Sequence, residues 1–150
     1  MSEMTEKLLE EIGGENQAKK LITMAKAARC FSYSPYSHYQ VGAALITKKG
    51  KVYQGCNIEN AAYGPSMCAE RVAFFKAVSE GEKDFSAIAI LGGKETSKGD
   101  FAPPCGTCRQ VMAEFCNLDE FLVIIAKDEE EYKLYTLGEL LPESFGPSKL

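Results

Sequence analysis

Long apolar runs are missing from this 150-residue chain, and no stretch approaches the ~18 consecutive apolar residues that a membrane-spanning helix requires. An excess of positive charge is missing too. Seventeen Lys and Arg stand against twenty-one Asp and Glu, for a net charge of −4. That balance argues against a nucleic acid backbone as the main partner, which would need a clustered basic surface. The first residues, Met-Ser-Glu-Met-Thr-Glu-Lys, have neither the basic-then-apolar build of a signal peptide nor the acid-poor composition of a transit peptide. A cytoplasmic protein with no membrane partner is expected. There is no internal repeat, low-complexity tract or Pro/Ser-rich linker, so one domain is the default. Histidine is nearly absent: His38 is the only one, stands in no ligand spacing and reads as an exposed loop residue.

What is present is an ordinary globular balance, 45% apolar and 25% charged. A chain of this length buries roughly 70% of the surface exposed in its unfolded form, so its core needs no disulfides. Six cysteines are therefore unexpected. Disulfides are rare in a reducing compartment, and only Cys105 and Cys108 form a short regular spacing. Cys30, Cys56 and Cys116 read as small buried hydrophobes.

Residues 1–15 are polar, contain Gly13-Gly14, and read as a loosely ordered lead-in to a single domain over 16–150. From Gln17 to Phe31, Ala18, Leu21, Ile22, Ala25 and Ala28 recur at helical spacing. Ser34-Pro35-Tyr36-Ser37 breaks that helix. Val41–Thr47 and Lys51–Cys56 read as a hairpin turning at Lys49-Gly50. Gly64-Pro65-Ser66 looks like a breaker with Ser66 as N-cap, followed by a helix over Met67–Ser79 that is apolar nearly all round and hence buried. Ala87–Leu91 has the continuous apolar character of a central strand, and Gly92–Phe101 reads as a polar loop. Its Gly92-Gly93-Lys94 lacks the earlier glycine and the following Ser/Thr of a phosphate loop. Pro104 opens another helix, with Cys108, Val111, Met112 and Phe115 on one face. Phe121–Ala126 and Tyr132–Tyr135 are further strands, and Leu137–Leu141 a last helical turn. This order predicts a three-layer α/β/α fold around a mixed, mostly five-stranded sheet, with parallel strands in the later crossovers.

Two helix starts carry cysteine: Cys68 after the Gly-Pro-Ser breaker, and Cys105 with Cys108 after Pro103-Pro104. A helix N-terminus presents partial positive charge and unpaired N–H groups, which favours thiolate. Cys105 and Cys108 lie one turn apart, so both sulfurs can reach one point. A third sulfur from Cys68 gives three protein ligands and an open corner, the arrangement of a catalytic zinc, whereas structural sites close with four. Such a zinc lowers the pKa of water to roughly 7. Glu70 lies two residues beyond Cys68, on the first turn of the same helix. Three thiolates and Zn²⁺ sum to a charge of −1, so negative charge must be drawn from the sulfurs. The two helix starts do part of this, and Arg71 is the candidate for the rest through hydrogen bonds to the sulfurs.

Cys68-Ala69-Glu70-Arg71 together with Pro104-Cys105-Gly106-Thr107-Cys108-Arg109-Gln110-Val111 resembles the signature of zinc-dependent cytidine deaminases. Pro35-Tyr36-Ser37, Val41-Gly42-Ala43-Ala44, the segment Gly55 to Tyr63, Leu140-Leu141-Pro142 and Ser144-Phe145-Gly146-Pro147 are similar to the small homotetrameric members. The similarity spans roughly residues 20–147. It implies a hydrolase acting on the C–N bond of a cyclic amidine, which deaminates cytidine and 2′-deoxycytidine in pyrimidine salvage. It further implies one Zn²⁺ per subunit on Cys68, Cys105 and Cys108, Glu70 as the catalytic residue, and Asn57 and Glu59 on the ribose hydroxyls. An amide and a carboxylate both suit such hydroxyls. The resemblance assigns Tyr63 and Phe145 to a site in a neighbouring subunit of a homotetramer. Tyr39 stands where many members place a phenylalanine against the pyrimidine, and its added hydroxyl needs a partner or solvent.

Three other readings compete. A structural zinc protein would take its fourth ligand from Cys56 or Cys116, neither of which has partner spacing. A deaminase of polynucleotides would need basic grooves and stacking platforms, against which the acidic balance speaks. A deaminase of a cytosine-bearing nucleoside antibiotic would not be expected to carry the Asn57-Ile58-Glu59 sugar segment.

Overall fold

The structure is a computed structural model and describes residues 2–150. Five strands form one sheet in the order β2-β1-β3-β4-β5. Strand β1 (Tyr39–Thr47) pairs antiparallel with β2 (Val52–Cys56) on one side and with β3 (Phe85–Lys94) on the other. β3 runs parallel to β4 (Leu122–Ala126), and β5 (Tyr132–Thr136) closes the far edge antiparallel to β4. The hairpin turns at Gly50, whose φ of +93° needs a residue without Cβ.

Alternation along the strands sorts the core into two layers. Ala43, Leu45, Ile88, Ile90, Val123 and Ile125 face one way and pack with α3 (Ala69–Ser79) and α4 (Gly106–Phe115). Ala44, Ile46, Ala87, Ala89, Leu91, Leu122 and Ile124 face the other way, against α1 (Glu3–Ile12) and α2 (Glu15–Arg29). The expected three-layer α/β/α arrangement and mixed five-stranded sheet are present. β3 and β4, covered on both faces, are nearly all apolar, as such strands must be. The short α5 (Leu137–Leu140) is capped by the Thr136 hydroxyl.

Within the segment expected to be a loosely ordered lead-in, Glu3–Ile12 form α1, capped at Ser2 by a capping box with Thr5 and ended by Gly13 in the left-handed region. Thr5 and Leu8 are buried, and Leu9 and Ile12 pack beside them. These four recur at i, i+3, i+4 and i+7, a helical stripe hidden by the acidic residues between them. β3 runs three residues beyond the expected strand, so Gly92 and Gly93 belong to the sheet and pair with Val41 and Gln40. The polar loop is correspondingly shorter.

Two close approaches set where α2 and α3 sit. A Cβ on Gly42 would collide with the Ala25 carbonyl oxygen, and one on Gly55 would meet the Ala69 carbonyl oxygen and lie 2.7 Å from the Ala73 amide nitrogen. Glycine at these strand positions lets each helix lie directly on the backbone. For α3 the contact falls in its first two turns, which fixes the N-terminus that carries Cys68.

Candidate metal centre and substrate cleft

Cys68 is the N-cap of α3 and Cys105 the N-cap of α4; Cys108 lies in the first turn of α4. The expected cap at Ser66 is displaced by two residues, and the Ser66 hydroxyl instead accepts the Asn60 N–H at 2.9 Å. Neither cap sulfur accepts a backbone N–H of its own helix, so both sulfurs are free for other partners. They find each other. Cys105 Sγ lies 3.5 Å from Cys108 Sγ and 3.9 Å from Cys68 Sγ, and all three sit within 4.8 Å of one another. Zn–S bonds of about 2.3 Å at tetrahedral angles place sulfurs about 3.8 Å apart, so this donor set fits a zinc ion. No fourth Cys, His, Asp or Glu joins the group among the described residues. The structural-zinc alternative, which needed Cys56 or Cys116, therefore lacks its closing ligand.

The surroundings favour thiolate at Cys68. The neighbouring Cys108 thiol and Arg71, whose Nη2 donates to Cys68 Sγ at 3.3 Å, bring its pKa down to about 5. Cys108 moves the opposite way, because it holds its proton against the Cys68 sulfur and is buried. Arg71 thus sets its guanidinium against one sulfur of the cluster. Its Nε is buried with no hydrogen-bond partner among the described residues.

Glu70, in the first turn of α3, is 4% exposed and lines the same cleft as Cys68 and Cys105. Burial is the main cause that raises its carboxyl to about 7, a value suited to both taking and releasing a proton at neutral pH. The cleft has a volume of about 340 Å³. Its walls are mostly apolar, with Tyr39, Val41, Ala69, Ala102 and Pro103 contributing, and Ser37, Asn57 and Glu59 supply polar atoms at one side.

Those polar atoms are tightly held. Asn57 Oδ1 accepts the Val41 N–H at 2.9 Å and the Ser32 hydroxyl at 2.5 Å, while Nδ2 donates to the Tyr39 carbonyl oxygen at 2.8 Å. Glu59 Oε1 accepts the N–H groups of Tyr36 and Ser37, and Oε2 accepts the Ser37 hydroxyl at 2.5 Å. The Ser37 hydroxyl leads the causes that hold the Glu59 carboxyl below its ordinary range. Burial raises the Tyr39 phenol, so that ring stays neutral.

The structure thus brings Cys68, Cys105, Glu70, Tyr39, Asn57 and Glu59 to one cleft, with Cys108 buried beside the other two sulfurs and Arg71 against Cys68. Tyr63 and Phe145 are not part of the cleft lining. Tyr63 is 74% exposed and meets Tyr36 edge-on at 6.2 Å between centroids, and Phe145 is 59% exposed. Cys30 is exposed and Cys56 and Cys116 are half-buried, so none of the three is the fully buried hydrophobe expected. Ser32 and the Ala102-Pro103 wall had no sequence signal. Their roles depend on chain segments that meet only in the folded sheet.

Residues 15–125 match the family described as the cytidine and deoxycytidylate deaminase zinc-binding region. A cytidine deaminase of Sporosarcina psychrophila is 47% identical over 134 residues, covering 88% of this chain and 93% of that protein. One from Halalkalibacterium halodurans is 49% identical over 125 residues, covering 83% and 91%. Among solved structures, the cytidine deaminase of Burkholderia pseudomallei superposes with a TM-score of 0.74 at 43% identity, covering 84% of this chain and 97% of its own.

Proposed function

The chain belongs to the cytidine and deoxycytidylate deaminase family, and from that premise we propose that it hydrolyses the exocyclic amine of cytidine and 2′-deoxycytidine, giving the uridine nucleoside and ammonia. One observation carries this reading. Three cysteine sulfurs from two helix starts converge at the cleft into which Glu70, Asn57 and Glu59 also project.

Cys68, Cys105 and Cys108 would hold the zinc. When bound, the metal supplies an activated water at neutral pH. Glu70 accepts a proton from the water as its oxygen bonds to C4 of the pyrimidine and delivers a proton to the ring nitrogen. The C4–N bond then breaks as the C4 hydroxyl gives up its proton, by way of Glu70, to the amine, which leaves as ammonia while C4 gains a carbonyl. The burial of Glu70 keeps bulk water from competing for that proton. Arg71, donating to Cys68, offsets negative charge on the sulfurs.

Tyr39 supplies a ring face to the pyrimidine, with Ala102 and Pro103 in the wall of the same cleft. Asn57 and Glu59 take the sugar: the amide has an N–H left to donate and the carboxylate a lone pair left to accept. A polynucleotide is disfavoured as substrate, because Glu59 would repel an adjoining phosphate. We further read the protein as a cytoplasmic homotetramer, one deaminase domain over residues 16–150 with α1 packed on it. The exposed aromatic rings of Phe31, Tyr33, Tyr63 and Phe145 support contacts between copies, through which Tyr63 and Phe145 would reach a neighbouring site.

Ultraviolet monitoring of cytidine, with and without a zinc chelator, tests the proposal. Loss of cytidine absorbance in the zinc-loaded protein, abolished by chelation and restored by zinc, is expected. Unchanged cytidine in the zinc-loaded protein overturns it.

A further inference from the structure

The hydrogen bonds around Asn57 and Glu59 restrict what the pair can offer a ligand. The Val41 N–H is only a donor and the Tyr39 carbonyl only an acceptor, so the orientation of the Asn57 amide between them is fixed. A carbonyl oxygen has two lone pairs. On Asn57 Oδ1 one receives the Val41 N–H and the other the Ser32 hydroxyl. The Ser32 hydroxyl has one proton, and of its two acceptors Asn57 Oδ1 at 2.5 Å is nearer than the buried Ser34 Oγ at 3.3 Å. Oδ1 is thereby full. On Glu59, Oε1 receives two backbone N–H groups and Oε2 the Ser37 hydroxyl. What remains toward the cleft is one N–H of Asn57 and one acceptor position on Glu59 Oε2.

We propose that Ser32 is a positioning residue for sugar recognition: by filling the second lone pair of Asn57 Oδ1 it makes Asn57 a donor only, so that the pair selects a group able to accept from Asn57 and donate to Glu59 at once. This rests on the reading of Asn57 and Glu59 as the sugar contact. A hydroxyl at the 3′ position satisfies both demands. A 3′-fluoro or 3′-O-methyl group accepts but cannot donate, and a 3′-phosphate places charge against the carboxylate. Ser32 stands outside the cleft lining and touches no reacting atom, so its removal acts on sugar binding and leaves the proton chemistry at Glu70 in place.

The test compares wild type, Ser32→Ala and Ser32→Thr, all zinc-loaded, on cytidine and 3′-deoxycytidine, with calorimetric binding of uridine as a readout that needs no turnover. Wild type should prefer cytidine over 3′-deoxycytidine. Ser32→Ala should raise KM for cytidine and weaken uridine about three- to ten-fold, the scale of one hydrogen bond, with kcat and the 3′-deoxycytidine parameters unchanged. Ser32→Thr, which keeps the hydroxyl, should restore the wild-type values. An Ala variant with wild-type discrimination overturns the proposal, as does one impaired equally on both substrates, which would mark Ser32 as merely structural. Should the Ala variant not fold, Ser32→Cys, a weaker donor of similar size, is read against the same criteria. Equal use of both substrates by wild type instead overturns the sugar-contact reading itself.

Discussion

Arg71 Nη2 donates to Cys68 Sγ at 3.3 Å, joining two residues three apart at the head of one helix. One turn of α3 therefore supplies both a sulfur and the cation that stabilises it. Removing that cation should weaken the centre without dismantling it. Arg71→Gln is expected to lose about 10- to 100-fold in zinc affinity or turnover, read by chelator competition and steady-state kinetics. Wild-type values in both measurements would leave Arg71 without this role.

Glu70→Gln preserves size and the three sulfurs but removes the carboxylate. The variant should keep its fold and full zinc while losing about 10²- to 10⁴-fold in kcat, the usual contribution of general acid–base groups. Retained turnover would remove Glu70 from the mechanism.

Cys105→Ala takes away the sulfur that lies 3.5 Å and 3.9 Å from its two partners. Zinc content and thermal stability should fall together, since metal binding contributes folding free energy. Elemental analysis finding one zinc per chain in this variant would contradict the three-cysteine assignment.

Gly55→Ala places a methyl against the Ala69 carbonyl and 2.7 Å from the Ala73 amide nitrogen. Both are backbone atoms and cannot rotate away, so α3 has to lift from β2. A loss of about 1–3 kcal/mol is expected from such overpacking, seen in denaturant unfolding. Activity should drop as well, because the same helix turns carry Cys68 and Glu70. An unchanged unfolding midpoint would show that α3 is not held by this contact.

Free cytidine and 2′-deoxycytidine should be deaminated, whereas a cytosine within a single-stranded oligonucleotide should not. Glu59 lines the cleft, and with the sugar bound as proposed its carboxylate would repel a 3′-phosphodiester. Mass spectrometry of both substrates after incubation decides this, and deaminated oligonucleotide would reverse the substrate class.

The sequence by itself determined whatever depends on neighbours a few residues away. The breaker before Cys68 and the prolines before Cys105 marked two helix starts, and the three-residue spacing of Cys105 and Cys108 set two sulfurs on one turn. Continuous apolar runs marked β3 and β4 as buried on both faces, and the resemblance joined these pieces into a deaminase site. Helix α1 was equally local, yet its stripe of Thr5, Leu8, Leu9 and Ile12 was obscured by charge. Only the tertiary structure brings those three marked sulfurs within reach of one another. Cys68 and Cys105 are separated by 37 positions, and the order of strands between them brings their helices together while leaving Cys30 in solvent. The same holds for Ser32 and Asn57, 25 positions apart. A hydrogen bond between residues that distant forms only after the sheet has placed both segments, because no local periodicity encodes a separation of that length.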